Sequence, residues 1–169
     1  MAATWIKPIR AKKGKTTVQT FADSLHYITN PSKTRNGELI STHGCDPRTH
    51  YLDFLLNKQD YDKSIGTAAN KKDVLLYHIR ISFKPGEITP EDAAKLCHDM
   101  TLRWTKGNHQ FVVATHEDKG HIHCHIMYNA VNLNTDKKFK NFWGSTRALR
   151  RMCDIVCLEN GLSVIENPK

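Results

Sequence analysis

The sequence predicts an α+β fold: a mainly antiparallel sheet with helices on its faces. Three observations predict it. Residues 74–83 alternate apolar and polar side chains as a strand does. Residues 110–131 read as a hairpin. Capped amphipathic helices are interspersed between the strands. At 169 residues the chain suits one domain, 1–169, large enough to bury a core without staples.

Taken in order, residues 3–10 read as a strand with a basic end, and Pro8 suits an edge. Lys12, Lys13 and Lys15 surround Gly14 in a basic turn. Thr16 or Thr17 caps a helix running to about Thr29, with Val18, Phe21, Leu25 and Ile28 as its apolar stripe. Asn30-Pro31 ends it, because a residue before proline avoids helical dihedrals. Residues 31–37 are polar and loop-like, and 38–42 form a short strand. Asp46-Pro47 starts a second helix that turns Tyr51, Leu52, Leu55 and Leu56 inward. Residues 60–72 read as a loop or a short helix. In strand 74–83, Leu75, Tyr77, Ile79, Ile81 and Phe83 share one face; His78, Arg80 and Ser82 share the other. Thr89-Pro90-Glu91-Asp92 opens a third helix that ends near Gly107. Strands over 110–117 and 121–131 are joined by a tight turn ending in Gly120. Ser145 caps a last helix, Asn160-Gly161 ends it, and 162–165 form a final strand.

The charge balance is 25 basic against 17 acidic residues, or +8 with histidine neutral. That surplus favours an anionic partner such as nucleic acid without identifying it. The five cysteines are odd in number and irregularly spaced, with no signal peptide, which fits reduced thiols in a cytoplasm. Cys153 and Cys157, four apart on a helix, read as small buried apolar residues. No apolar run is long enough to span a membrane.

Ten histidines are many for this length, and three fall within five residues. Strand alternation puts His121, His123, His125, Met127 and Asn129 on one face, and Ile122, Cys124, Ile126 and Tyr128 on the other. The preceding strand contributes His116. It faces His123 if the turn centres on Lys119-Gly120, or His121 if the turn centres on Asp118-Lys119. In either register it joins the same face. Three imidazoles from two adjacent strands can hold one divalent ion and leave positions open for substrate oxygens. Imidazole suits manganese, zinc, nickel or cobalt better than magnesium. A closed structural zinc site is the rival reading, but Cys124 points away from the histidines.

His116-x-Asp118 followed by His121-x-His123-x-His125-x-x-x-Asn129 resembles the third motif of plasmid mobilisation relaxases. These are the MobA-like group of the His-hydrophobe-His endonucleases; here Cys124 fills the hydrophobe position. The resemblance implies a split βαβ, ferredoxin-like palm. It implies His116, His123 and His125 as ligands of one divalent ion, manganese or magnesium ahead of zinc, nickel or cobalt. It implies nicking of one DNA strand at a transfer origin, through an N-terminal tyrosine that becomes joined to the 5′ phosphate and leaves a free 3′ hydroxyl. Single-stranded DNA is then the partner, with accessory DNA-binding and coupling proteins, and a cytoplasmic monomer is expected. The chain is either a short relaxase or the N-terminal catalytic part of a longer protein.

Of five tyrosines, Tyr51 and Tyr77 read as core, and Tyr128 lies opposite the histidines. Tyr27 lies away from the apolar stripe, near the end of its helix and before a polar loop, and it matches the N-terminal motif. Tyr61 and the neighbouring His26 stay open as alternative nucleophiles. A phenol is mostly protonated at neutral pH, so a base or cation must help it attack. Asp118 either accepts that proton, orients an imidazole, or is a turn residue. His121 and Asn129 either support the ligands or contact substrate; Asn129 also reads as a strand-end polar residue. Arg80, Lys138, Lys140, Arg147, Arg150 and Arg151 are candidate DNA contacts, with His78 lining the same site as Arg80 and Phe142 and Trp143 close by in sequence. Two other functions compete: a rolling-circle initiator or single-tyrosine transposase with the same chemistry, and a non-catalytic DNA-binding domain with structural zinc.

Overall fold

A computed structural model describes residues 2–66 and 72–166. Strand β1 (Ala2–Arg10) leads into helix α1 (Thr17–Ile28), strand β2 (Ile40–His43) and helix α2 (His50–Ile65). Strand β3 (Val74–Phe83) and helix α3 (Pro90–Thr105) follow, then strands β4 (Phe111–His116) and β5 (His123–Asn129), and helix α4 (Ser145–Glu159). The strands form one sheet in the order β1-β3-β5-β4-β2, and every pairing is antiparallel. The unit β3-α3-β4 has β5 inserted between its parallel strands, which is the split βαβ arrangement. No helix among the described residues is long and apolar enough to cross a membrane.

Alternation on the strands divides the apolar residues into two layers. Tyr77, Ile79, Ile81, Cys124, Ile126 and Tyr128 pack against Met100, Leu149 and Cys157 of α3 and α4. On the other face Leu76, Val112, Ala114 and Met127 pack against Phe21, Leu25, Ile28 and Phe54 of α1 and α2. The histidines of β4 and β5 extend this second face, so α1 and α2 are the helices that frame them. Cys97, Cys124, Cys153 and Cys157 are all buried, free thiols in the first layer.

Local signals fixed most helix ends. Thr16 caps α1 in a reciprocal capping box with Gln19, and Thr89 caps α3 through Asp92 N. Others moved. Helix α2 begins at His50 rather than at Asp46-Pro47, because Asp46 bonds Arg48 in a local turn instead of capping. It runs on to Ile65, so the first part of the segment read as a loop or a short helix is a continuation of α2. Tyr51 and Leu55 pack half-buried against the core as expected, but the fully buried residues are His50, Phe54 and Lys58, and Leu52 and Leu56 are 42% and 58% exposed. The buried stripe is centred on the 50–54–58 line, flanked by Tyr51 and Leu55. Lys58 is tolerated inside because Asp62 and Asp73 receive its ammonium at 2.7 and 3.1 Å. Ser145 is the first residue of α4 rather than its cap, and its hydroxyl accepts from Phe142 N. Residues 162–165 are irregular rather than a strand, with Leu162 and Val164 packed against the first layer.

Candidate metal centre and nucleic-acid cleft

The β4–β5 register pairs His116 with His123, the outcome expected of a turn centred on Lys119-Gly120. His125 sits two residues on, paired with Ala114 on one side and Arg80 of β3 on the other. One ligand nitrogen from each of His116, His123 and His125 lies within 4.8 Å of the others. All three residues are buried. His121 precedes β5 in a bend, so the strand begins two residues later than expected and His121 is not in this group.

The remaining nitrogens of the triad are engaged in ways that suit a metal. Nε2 of His116 donates to the carbonyl of Ile28 at 2.7 Å, which leaves Nδ1 as its free lone pair. Nδ1 of His123 faces the carbonyl of His121 at 3.5 Å. Nδ1 of His125 is hydrogen-bonded to Nε2 of the buried His78 at 2.8 Å. Carbonyl or polar partners on the second nitrogen are what fixes the tautomer and plane of a metal-binding imidazole. Burial also keeps the rings neutral, as ligands must be. Desolvation pushes His123 down to about 4 and His125 to about 2, and lowers His116 as well. The donor set therefore fits one divalent ion held by three protein ligands, with open positions beside it.

Tyr27 lies at the C-terminal end of α1 over this triad. It is 62% exposed, and its ring centroid is 6.3 Å from that of His125. Helix periodicity separates it from the buried Phe21, Leu25 and Ile28, while Ile28 itself ties α1 to His116 through its carbonyl. The same turn of helix thus presents the phenol outward and anchors a ligand inward.

A cleft of about 600 Å³ opens beside Tyr27 and runs between α1 and β1. His78, Arg80 and His125 form its inner end, with Trp5 of β1 beside them, and Lys7, Arg10, Lys12 and Lys15 line the rest. Its one lining acid, Asp23, is paired with Lys15. Sequence reasoning noted this basic strand and turn but did not attach them to the histidines. The available signal was the basic run itself; what it lacked was the β1–β3 register that sets Trp5 against Arg80 and Lys7 against His78. Arg80 has a buried Nε with no hydrogen-bond partner in a site next to three imidazoles.

Other candidates are placed elsewhere. Asp118 is beside the triad, with its carboxylate 4.0 Å from Lys33 Nζ, and its charge favours protonation of His116 and His123. Asn129 is fully buried four residues along β5 from His125. It donates to the carbonyl of Phe54 and to Gln110 Oε1, tying α2 to the sheet. Arg147, Arg150 and Arg151 are on α4, across the sheet from the histidines. Lys138 pairs with Asp73 at 3.3 Å and lies over the Tyr61 ring, at the end of β3 away from the triad. Tyr61 belongs to α2, held between the ammoniums of Lys58 and Lys138. Lys140 is exposed on the loop before α4. His26, on the flank of α1, meets His50 and Tyr51 instead of the triad.

The family model described as "Relaxase: MobA/VirD2-like, nuclease domain" matches residues 27–162. The group II intron-interrupted relaxase LtrB of Lactococcus lactis subsp. cremoris is 33% identical over 132 residues, covering 67% of this chain and 23% of that protein. A protein rlx of Staphylococcus aureus is 41% identical over 97 residues, covering 57% of this chain and 30% of its own length. Another protein rlx of the same organism is 33% identical over 132 residues, 78% of this chain and 38% of that one. The chain thus spans well under half the length of the curated relatives it matches. A solved structure from "Molecular Basis of Vancomycin Resistance Transfer in Staphylococcus aureus" matches along the full length of both chains with a TM-score of 0.59. Its identity is 14%, so that likeness concerns the fold alone.

Proposed function

Because the chain belongs to the MobA/VirD2-like relaxase nuclease-domain family, we propose that it nicks single-stranded DNA at a transfer origin by metal-dependent transesterification. The observation that carries this reading is the stacking of three parts in one place. An exposed Tyr27 stands over three buried, neutral imidazoles, at the mouth of a basic cleft.

In this reading the DNA backbone follows the cleft, with Arg10, Lys7 and Arg80 against its phosphates and Trp5 available to a base. Arg80, whose Nε is otherwise orphaned, receives the phosphate nearest the histidines. The phenol oxygen of Tyr27 attacks that phosphorus in line, the P–O3′ bond breaks, and the 3′ oxygen leaves and takes up a proton. Asp118 is the base assigned to the phenolic proton. His116, His123 and His125 would hold the divalent ion, manganese or magnesium first, which supplies charge neutralisation at a nonbridging oxygen. His121, beside His123, contacts substrate or supports that ligand. One copy of the chain per strand is sufficient for these steps.

The test is incubation of the protein with a labelled single-stranded oligonucleotide carrying the nick region of its own genetic element, with Mn²⁺. A covalent protein–DNA adduct on denaturing gels is expected from wild type and not from Tyr27→Phe. Equal adduct from both removes Tyr27 as nucleophile. Chelation should stop the reaction reversibly with the fold retained; unfolding on chelation would instead favour a structural ion.

A further inference from the structure

One cation over Tyr27 lies outside the basic cleft described above. It is Lys33, in the loop between α1 and β2. Its ammonium lies 5.9 Å from the centroid of the Tyr27 ring and 4.0 Å from an oxygen of Asp118. Lys33 thus stands on the β4 side of the histidines, beside Asp118, whereas Arg80 stands on the β3 side, opposite His125. The two cations therefore bracket the place where Tyr27 and the imidazoles meet.

The loop that carries Lys33 is built to hold one shape. Arg35, Asn36 and Gly37 have φ of 52°, 54° and 92°, a run in the left-handed region that includes two non-glycine residues. Such a run persists only where the surroundings enforce it. Here they do. Thr34 is fully buried, its hydroxyl donates to the carbonyl of Asn30, and its own carbonyl accepts from Gly37 and Leu39. Asn36 N donates to the carbonyl of Pro31 at 2.9 Å. Arg35 grips both oxygens of Glu117, at 3.1 and 2.8 Å, and also binds Glu91. Glu117 is the residue after His116, so this clamp ties the loop directly to a ligand-bearing strand. A flexible lysine is usually a diffuse charge; a lysine on a clamped loop is a placed one.

We infer that Lys33 is a phosphate-binding catalytic residue, set over Tyr27 by the clamped 30–39 loop, and that it contacts the scissile phosphate opposite Arg80. This rests on the nicking reading above. A cation held where charge develops acts on the transition state more than on ground-state binding. The loop is a positioning device, and Arg35 is its anchor.

The experiment measures single-turnover adduct formation at saturating oligonucleotide and Mn²⁺ for wild type, Lys33→Met, Lys33→Arg and Arg35→Ala. Oligonucleotide affinity is read by fluorescence anisotropy and Mn²⁺ affinity by calorimetry on the same preparations. Lys33→Met is expected to slow the step by roughly 10²-fold, with both affinities within about 3-fold of wild type. Lys33→Arg should recover a large part of the rate, and Arg35→Ala should lose rate without losing Mn²⁺. A Lys33→Met rate equal to wild type overturns the assignment and leaves the nicking reading standing. Lost DNA affinity with an unchanged saturating rate also overturns it, because Lys33 would then be an ordinary backbone contact. Lost Mn²⁺ affinity overturns it in favour of a structural role through Asp118. A wild type that binds DNA and Mn²⁺ but forms no adduct overturns the nicking reading and this inference together.

Discussion

His78 and His125 meet across strands β3 and β5 in a buried imidazole–imidazole hydrogen bond of 2.8 Å. Trp5 packs edge-on to His78 at 4.8 Å, so His78 is wedged between β1 and the triad. This contact sets the plane of His125. His78→Ala is expected to weaken Mn²⁺ binding by roughly 10–100-fold, the usual cost of losing a partner behind a ligand. Calorimetry checks it, with circular dichroism as the control for folding. Unchanged affinity would mean that His125 is oriented by its strand alone.

The acid response of the metal-free protein has a definite sign. Burial lowers His123 to about 4 and His78 to about 3, from 6.5. As pH falls below 6.5 the unfolded chain takes up protons on these residues while the folded protein leaves them neutral. The unfolded state then binds more protons, so stability declines from pH 6.5 down to about 3. Above 6.5 these groups contribute no pH dependence. Thermal unfolding against pH should show a plateau that falls away on the acid side of 6.5. A melting temperature that rises on acidification through this window contradicts the buried, neutral cluster.

Asn129 distinguishes structural from metal-supporting roles. Its side-chain amide donates to Phe54 O at 3.1 Å and to Gln110 Oε1 at 3.0 Å, and its oxygen accepts from Val131 N. Asn129→Ala takes a donor from Phe54 O, leaves Gln110 Oε1 with Asn57 Nδ2 alone, and leaves the buried Val131 N without this acceptor, at a cost of about 1–3 kcal/mol. Chemical denaturation should register that loss while Mn²⁺ affinity stays at the wild-type value. A fall in metal affinity without a fall in stability would assign Asn129 to the metal centre instead.

Two basic surfaces separate cleanly by substitution. Arg10→Ala with Lys12→Ala removes charge from the cleft that opens beside Tyr27. The slope of log affinity against log salt for a short single strand should drop by about 0.7 per lost phosphate contact. Arg147→Ala with Arg151→Ala removes charge from α4, behind the sheet. It should leave that slope and the nicking rate unchanged. The reverse pattern would move the DNA path to α4.

The triad was legible because it is written in covalent geometry. Alternation along a strand needs no tertiary information, so the shared face of His123 and His125 followed directly. The partner register did not: two turn positions were compatible with the residues, and only the pairing of β4 with β5 chose between them. Tyr27 was legible for the same reason as the triad, since helix periodicity separates it from Phe21, Leu25 and Ile28. The start of helix α2 was misread because a capping-type Asp46 can equally serve a local turn.

Local chemistry in the sequence thus determined the fold class and a shared face of four histidines. The family resemblance narrowed these to His116, His123 and His125 as the proposed ligands, and pointed to Tyr27 as the proposed nucleophile. The structure groups the three imidazoles and sets His121 apart. Tertiary structure decided which cations belong with them. Arg147, Arg150 and Arg151 look like DNA contacts in one dimension but face away, because α4 packs its apolar side on the layer containing Cys124 and Tyr128. Lys7, Arg10 and Lys12 gain their place from strand β1 pairing with β3 more than sixty residues away, and Lys33 from a clamp reaching Glu117. Charge carries no periodicity that marks a face, so a cation's role emerges only once long-range pairing and packing have fixed where it points.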